Sequence, residues 1–193
     1  MRIVISILAI SVLCMPGLAV SSTAGSLVLA ADAAGSQCAV ADDEPGTVKI
    51  HMLVREATGV TAVQFAAPTP GCWSGATWLG DNIAFPVAIG DTHLTWEYGL
   101  AIGFGECLES TVYIGYMLFN TTGASSPCCE YPIIKATNDL HPEIPGPIMV
   151  DCEVTHVEAL TGIAVVNVGS GCNCAQTVAN HETTWGGVKE MFR

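Results

Sequence analysis

Positions 48–54 alternate strictly, with Val48, Ile50, Met52 and Val54 on one side of the chain and Lys49, His51, Leu53 and Arg55 on the other. A period of two belongs to a β-strand with one buried face. Residues 148–154 repeat the pattern, with Ile148, Val150, Cys152 and Val154 on one side and Met149, Asp151 and Glu153 on the other. This predicts a second strand whose Cys152 faces the core. Residues 111–119 are apolar on both sides, Val112, Ile114, Tyr116 and Leu118 against Tyr113, Met117 and Phe119, and are expected at the centre of a sheet. Shorter runs at 26–31, 60–66, 76–79, 83–89, 95–104, 131–136 and 163–168 read as weaker strands. Turn-rich segments separate them: Asp42-Asp43-Glu44-Pro45-Gly46, Pro68-Thr69-Pro70-Gly71, Asn120-Thr121-Thr122-Gly123 and residues 141–147. Together they predict an all-β fold, a two-sheet antiparallel β-sandwich of Ig-like type.

Both ends depart from this rhythm. Behind Met1-Arg2, an apolar stretch runs to Val20, broken by Pro16 and Gly17, and ends in small residues. That layout is a secretory signal, and it falls short of the ~20 clean apolar residues of a membrane-spanning helix. Small-x-small cut sites lie after Ser21 and after Ala24, and the second is preferred. A bulky Leu13 before Cys14 argues against lipid attachment. At the other end Trp185, Val188 and Met191 or Phe192 recur at helical spacing behind a capping Thr. A short helix is expected there, although each of Gly186 and Gly187 costs it roughly 1 kcal/mol. The chain thus divides into a signal peptide (1–24), a sandwich (25–179) and a C-terminal segment (180–193).

Half of the residues are hydrophobic and only 12% are charged, which excludes a disordered, solvating chain. With 6 Lys and Arg against 18 Asp and Glu, the formal charge is -12. Such a surface repels nucleic acid and anionic lipid. Apart from Cys14, eight cysteines remain: Cys38, Cys72, Cys107, Cys128, Cys129, Cys152, Cys172 and Cys174. In an exported chain an even set reads as four disulfides. The rival is a zinc site built from Cys128-Cys129 and Cys172-x-Cys174, but neither has the Cys-x-x-Cys spacing that suits one ion. Bridges inside either pair are disfavoured by disulfide geometry, and the connectivity stays open.

Catalytic templates fail on spacing. Gly71-Cys72-Trp73-Ser74-Gly75 and Gly169-Ser170-Gly171 are out of register for a nucleophile elbow. His181-Glu182 meets Trp185 where a zinc protease needs its second histidine. Gly103-x-Gly105 lacks the third glycine of a dinucleotide loop, and His51, His93, His141, His156 and His181 form no local metal pair. Asp151 and Glu153, expected on one strand face roughly 7 Å apart, are the one carboxylate pair with glycosidase spacing. Asp42-Asp43-Glu44 could offer oxygens to calcium without EF-hand spacing. Trp73, Trp78, Trp96 and Tyr98 are candidate sugar-stacking platforms, with core packing as the commoner use of such residues. Asn120-Thr121-Thr122 is a formal glycosylation acceptor.

Gly25-Ser26-Leu27-Val28-Leu29-Ala30-Ala31-Asp32, Gln64-Phe65-Ala66-Ala67-Pro68, Ile102-Gly103-Phe104-Gly105-Glu106-Cys107-Leu108, Val150-Asp151-Cys152, Cys172-x-Cys174 and the stretch from Glu182 to Lys189 act together. In these the chain resembles an uncharacterised family of exported bacterial proteins. The resemblance implies a signal peptide, a cysteine-rich cohesin-like sandwich whose first strand begins near Ser26, and a terminal Thr-Trp-Gly-x-x-Lys segment. It implies no catalytic residue, ligand or cofactor. The expected function is a non-catalytic module at the cell surface, outside the cell or in the periplasm. Its expected partner is polysaccharide, another surface protein or a second copy. A secreted carbohydrate-active hydrolase and a self-assembling filament subunit are the alternatives.

Overall fold

The computed structural model describes residues 24–95, 97–136 and 141–172. The leader up to residue 23, Trp96, Cys174, His181 and the expected helix at 180–193 lie outside them. The strands are β1 (Ser26–Ala30), β2 (Ala39–Val40), β3 (Pro45–Phe65), β4 (Ala76–Ile83), β5 (Val87–Ile89), β6 (Leu100–Thr122), β7 (Cys129–Tyr131), β8 (Ile148–Asp151), β9 (His156–Glu158), β10 (Leu160–Thr161) and β11 (Ala164–Val166). A 3₁₀ turn at Gly71–Trp73 is the one helical element among the described residues. A large sheet runs β10-β1-β3-β6-β4, with β5 also on β6 and β8 on β3; a small sheet runs β2-β11-β7. Most pairs are antiparallel, but β1–β10 and β2–β11 are parallel.

One core joins the two sheets, which makes the fold a sandwich. Leu27, Ile50, Met52 and Phe119 of the large sheet share it with Val40, Tyr131, Ala164 and Val166 of the small one. At its centre the Trp73 ring lies 4.7 Å from Phe119 and 5.9 Å from Tyr131, centroid to centroid. Trp73 is wholly buried, so it serves as core and not as a sugar platform. Its indole N–H donates to Asp42 Oδ2 at 2.7 Å, which gives the buried carboxylate a partner. Asn167 then ties the Asp42 backbone to β11: its Oδ1 accepts from Asp42 N at 2.7 Å and its Nδ2 donates to Asp42 O at 2.9 Å.

Two pairs of expected strands are each one continuous strand. Residues 48–54 and 60–66 merge into the 21-residue β3, and 95–104 and 111–119 merge into the 23-residue β6, which starts only at Leu100. The stretches between the apolar halves, 55–59 and 105–110, hold the polar residues and glycines that turns also use. In the fold they are a series of bulges, with register shifts between Val54 and Ala57 and between Thr58 and Val60. Glu56 (φ 53°) and Ser110 (φ 71°) take left-handed backbone there. Bulges bend strands without ending them, so the same two strands serve two halves of the sheet.

A further bulge corrects the face assignment on β6. Met52 pairs Gly115 and Leu53 pairs Tyr113, leaving Ile114 as an extra residue. Alternation slips at that point, and Val112, Ile114, Met117 and Phe119 enter the core while Tyr113, Tyr116 and Leu118 share the other face. Gly115 is required: a Cβ there would stand 2.1 Å from Asn82 O.

The expected strand 148–154 also needs correction. β8 stops at Asp151, whose Oδ1 accepts backbone N–H groups of Glu153 (2.9 Å) and Thr155 (2.8 Å) and so folds a tight turn. Cys152 is therefore exposed, Val154 is 71% exposed, and Met149 is the residue that enters the core. Asp151 and Glu153 do not share a strand face. Of the weaker runs, 26–31, 83–89 and 163–168 shorten to β1, β5 and β11, 76–79 lengthens into β4, and 131–136 gives way to β7, which ends at Tyr131. β2, β9 and β10 had no periodic signal, being two or three residues long.

Candidate docking face

Beyond the bulges, β3 and β6 acquire new neighbours and the order across the sheet becomes β9-β8-β3-β6-β5. Val63, Phe65, Leu100, Ile102 and Met149 point into the core from this half. Register then fixes two rows on the outer face. One row runs Glu158, Ile148, Gln64, Ala101, Ile89; the next runs His156, Val150, Ala62, Gly103, Val87.

Side-chain size turns these rows into a groove of about 250 Å³. Ala62, Ala101 and Gly103 form a low floor, with Val87 and Ile89 as one wall and Ile148 and Val150 as the other. Val87 and Ile89 are 56% and 55% exposed. Single exposed aliphatics are ordinary; here two stand side by side along one wall, while Ile148 on the other is 2% exposed. Gln64 is the polar group in the floor, and its Nε2 donates to Tyr98 O at 3.0 Å.

One margin is polar. The His141 and His156 rings lie 3.9 Å apart, and His141 Nδ1 is 3.0 Å from Glu143 Oε1. Backbone hydrogen bonding and then His141 lower the Glu143 carboxyl. The Lys135 ammonium donates to the carbonyls of Ile144 and of His141, the latter at 3.0 Å, and pins the loop carrying His141 beside the groove.

A disulfide braces this half-sheet from the side of the bulges. Cys107 of β6 is bonded to Cys152, just after β8, with Cα atoms 5.5 Å apart. The bridge crosses over β3 at Gly59, where a Cβ would stand 3.0 Å from Cys152 Sγ and 3.6 Å from Cys107 Sγ. Cys72–Cys129 and Cys128–Cys172 tie the 3₁₀ turn and the end of the small sheet to β7. Cys38 is disulfide-bonded as well.

The nearest approach to catalytic geometry is elsewhere. Thr69 Oγ1 lies 2.6 Å from His93 Nε2, His93 Nδ1 lies 3.1 Å from Thr92 Oγ1, and Thr92 donates to Asp81 Oδ1 at 2.8 Å. The order resembles a nucleophile, base and acid relay. However, the Thr69 backbone N–H also donates to His93 Nε2 at 3.0 Å, so the nitrogen a base would use is doubly occupied. Burial moreover pushes the imidazole down to about 4, too low for a base at neutral pH. Burial raises the Asp81 carboxyl, which also accepts from Trp78 Nε1 at 3.1 Å. Trp78 itself is stacked on His93 with centroids 4.5 Å apart, so its ring is engaged inside the protein. The cluster locks two loops together.

The other sequence candidates remain apart. Asp42 is buried against Trp73 while Asp43 and Glu44 are exposed, and among the described residues no three His, Cys, Asp or Glu side chains converge as metal ligands. Tyr98 is 44% exposed. Sequence reasoning missed the groove because it is built of Ala, Gly, Val and Ile, which read as core. No sequence signal marks it, because Ala62 is set beside Ala101 and Gly103 only by the pairing of β3 with β6.

No protein-family model matches the chain, and comparison with curated proteins gives no relative. Among solved structures it is similar to the sixth cohesin of Acetivibrio cellulolyticus scaffoldin B, crystallised with a Cel5 dockerin mutant, at 11% identity and TM-score 0.45, over 76% of this chain and 100% of that one. It is similar to the seventh ScaB type I cohesin of Pseudobacteroides cellulosolvens at 9% identity and TM-score 0.47, over 77% and 95%. The second type II cohesin of the Acetivibrio cellulolyticus ScaA scaffoldin aligns at 10% identity and TM-score 0.37, over 76% and 95%.

Proposed function

We propose that this protein is an exported, non-catalytic module that works by contact, docking a partner protein on the β9-β8-β3-β6-β5 face. The observation that carries the reading is the groove itself: small residues on the floor, one half-exposed wall of Val87 and Ile89, and an opposite wall of buried Ile148 and partly buried Val150, on a sheet half braced by its own disulfide. Apolar floor and wall supply desolvation, and the polar margin of His141, His156 and Glu143, with Gln64 in the floor, supplies orientation, the usual division at a protein interface. Export is supported by the leader and by three disulfides, which persist in oxidising compartments. A hydrolase has less support, since Asp151 is spent on a turn and His93 on two loops. A sugar platform has less as well, with Trp73 buried and Trp78 covered.

Leu79 provides a matched control, being 55% exposed like Ile89 but on β4. A photo-crosslinking residue at position 89, offered to the medium and surface fraction of the source cells, is expected to give a discrete protein adduct. The same residue at position 79 is expected to give none, and Ala101→Arg in the groove floor is expected to abolish the adduct at 89. Equal labelling at both positions, or an adduct that survives Ala101→Arg, overturns the proposal.

A further inference from the structure

The Cys107–Cys152 bridge differs from the other disulfides in its setting. Both of its residues are exposed, whereas exposed Cys72 is bonded to buried Cys129, Cys128 and Cys172 are half-buried, and Cys38 is buried. Gly59 puts no side chain beneath the sulfurs, and Cys152 lines a cleft of about 280 Å³ with Thr58, Gly59, Asp151 and Glu153. Charge around the bridge is one-sided. Glu106 precedes Cys107 on β6, Glu109 pairs Thr58, and Asp151 and Glu153 flank Cys152, while on β3 Arg55 and Glu56 offset each other.

We propose that this bridge is a thiol-exchange site that accepts small cationic thiols, rejects anionic ones, and on opening frees the β8–β9 wall of the groove. Access decides which disulfide an external thiol meets first. An acidic cleft then concentrates a cation and excludes an anion. The same carboxylates disfavour the departing thiolate, but they slow every thiol alike, so selectivity lies in the charge of the attacker. In the exchange the thiolate of the small thiol bonds to Cys152 Sγ, the S–S bond breaks, and Cys107 leaves as a thiolate that takes a proton from water. A second thiol displaces the first as its own disulfide, so the small thiol is oxidised and the bridge is reduced. Among the strands β9 pairs only with β8, and β8 holds β3 through Ile148, Met149, Val150 and Asp151, so the bond from Cys152 to β6 is the covalent tie of this hairpin across β3. That its wall serves docking rests on the groove reading above; the reactivity of the bridge does not.

The oxidised full chain is to be treated with cysteamine and, separately, with glutathione, then trapped by alkylation and mapped by mass spectrometry. Cysteamine is expected to open Cys107–Cys152 before Cys72–Cys129 and Cys128–Cys172. Normalised to their rates on a small uncharged disulfide, cysteamine should exceed glutathione by on the order of tenfold at 0.01 M salt, the ratio falling towards one at 1 M. Glu106→Gln and Glu153→Gln, both at exposed positions, are expected to lower the low-salt ratio and leave the melting temperature unchanged. Amide hydrogen exchange of the opened protein should show β8 and β9 losing protection while β7 and β11 keep theirs. Another bridge opening first, a ratio near one at low salt, or unaltered protection of β8 and β9 overturns the proposal. No docking partner enters these readouts, so failure of the docking reading, seen in the crosslink at position 89, is told apart from failure of this one.

Discussion

At the scale of single residues, His93 is the side chain whose chemistry is most constrained. Its Nε2 accepts from Thr69, which requires the neutral ring, and Nδ1 then donates to Thr92. Burial lowers its affinity for protons from 6.5 to about 4, with nearby Asp91 offsetting a part of that fall. A depressed value means the unfolded chain takes the proton first. The stabilising contribution is therefore complete above pH 6.5 and is lost as pH falls towards about 4. Allowing for partial exposure, the loss is roughly 2 kcal/mol. Asp81 acts with the opposite sign, since burial raises its carboxyl and folding favours its protonated form at low pH. Comparison with His93→Gln isolates the imidazole. Denaturant titrations of the two proteins near neutral pH and near pH 4.5 should show the wild-type advantage narrowing by roughly 2 kcal/mol. An advantage that stays constant would mean that His93 takes up its proton as readily in the folded protein as in the unfolded chain.

At the scale of elements, β3 must let a disulfide pass. Gly59 takes φ 116°, backbone that side chains rarely adopt, and the Cys107–Cys152 sulfurs occupy the space above it. Gly59→Val is expected to displace the bridge, leaving two thiols that label in the unreduced protein. With the cysteines 45 positions apart, loss of the link costs about 4 kcal/mol in the chain-entropy account. Quantitative labelling with no free thiol, and an unchanged melting temperature, would show that the bridge does not depend on the glycine. The same region marks how far the sequence could be read. The apolar face of 48–54 follows from period two, which reports burial directly, and the central place of 111–119 follows from its being apolar on both sides. The continuity of β3 and β6 does not, because a bulge and a turn use the same polar residues and glycines. The Ile114 bulge is hidden for a related reason: both sides of that stretch are apolar, so a slipped face leaves no trace in the pattern. Asp151 misled because a carboxylate in an alternating run looks like an outward strand position until its oxygen is seen closing a turn. The groove was illegible because Ala62, Ala101 and Gly103 come from two distant strands and acquire meaning only once register sets them side by side.

At the scale of the whole molecule, an exposed apolar groove and a formal charge of -12 act against each other. A surface able to desolvate against a partner is also able to desolvate against a second copy, and copies of one acidic chain repel. Repulsion between exposed charges reaches about 30 Å at 0.01 M salt and only about 3 Å at 1 M. Apolar contact is not weakened by that screening. Light scattering of the purified protein should therefore give a monomer mass and net repulsion at low ionic strength, with repulsion giving way to weak association as sodium chloride is raised. Val87 and Ile89 are the most exposed apolar side chains of the groove, and both lie on β5, which pairs only with β6. Ile89→Asp places a charge on that wall without touching the core, so it should leave the melting temperature close to wild type and remove the salt-driven association. Calcium and sodium chloride at equal ionic strength should act alike if screening is the cause. Association that persists in Ile89→Asp would locate the adhesive surface elsewhere on the sandwich, and a response to calcium alone would mean bridging of carboxylates in place of apolar contact.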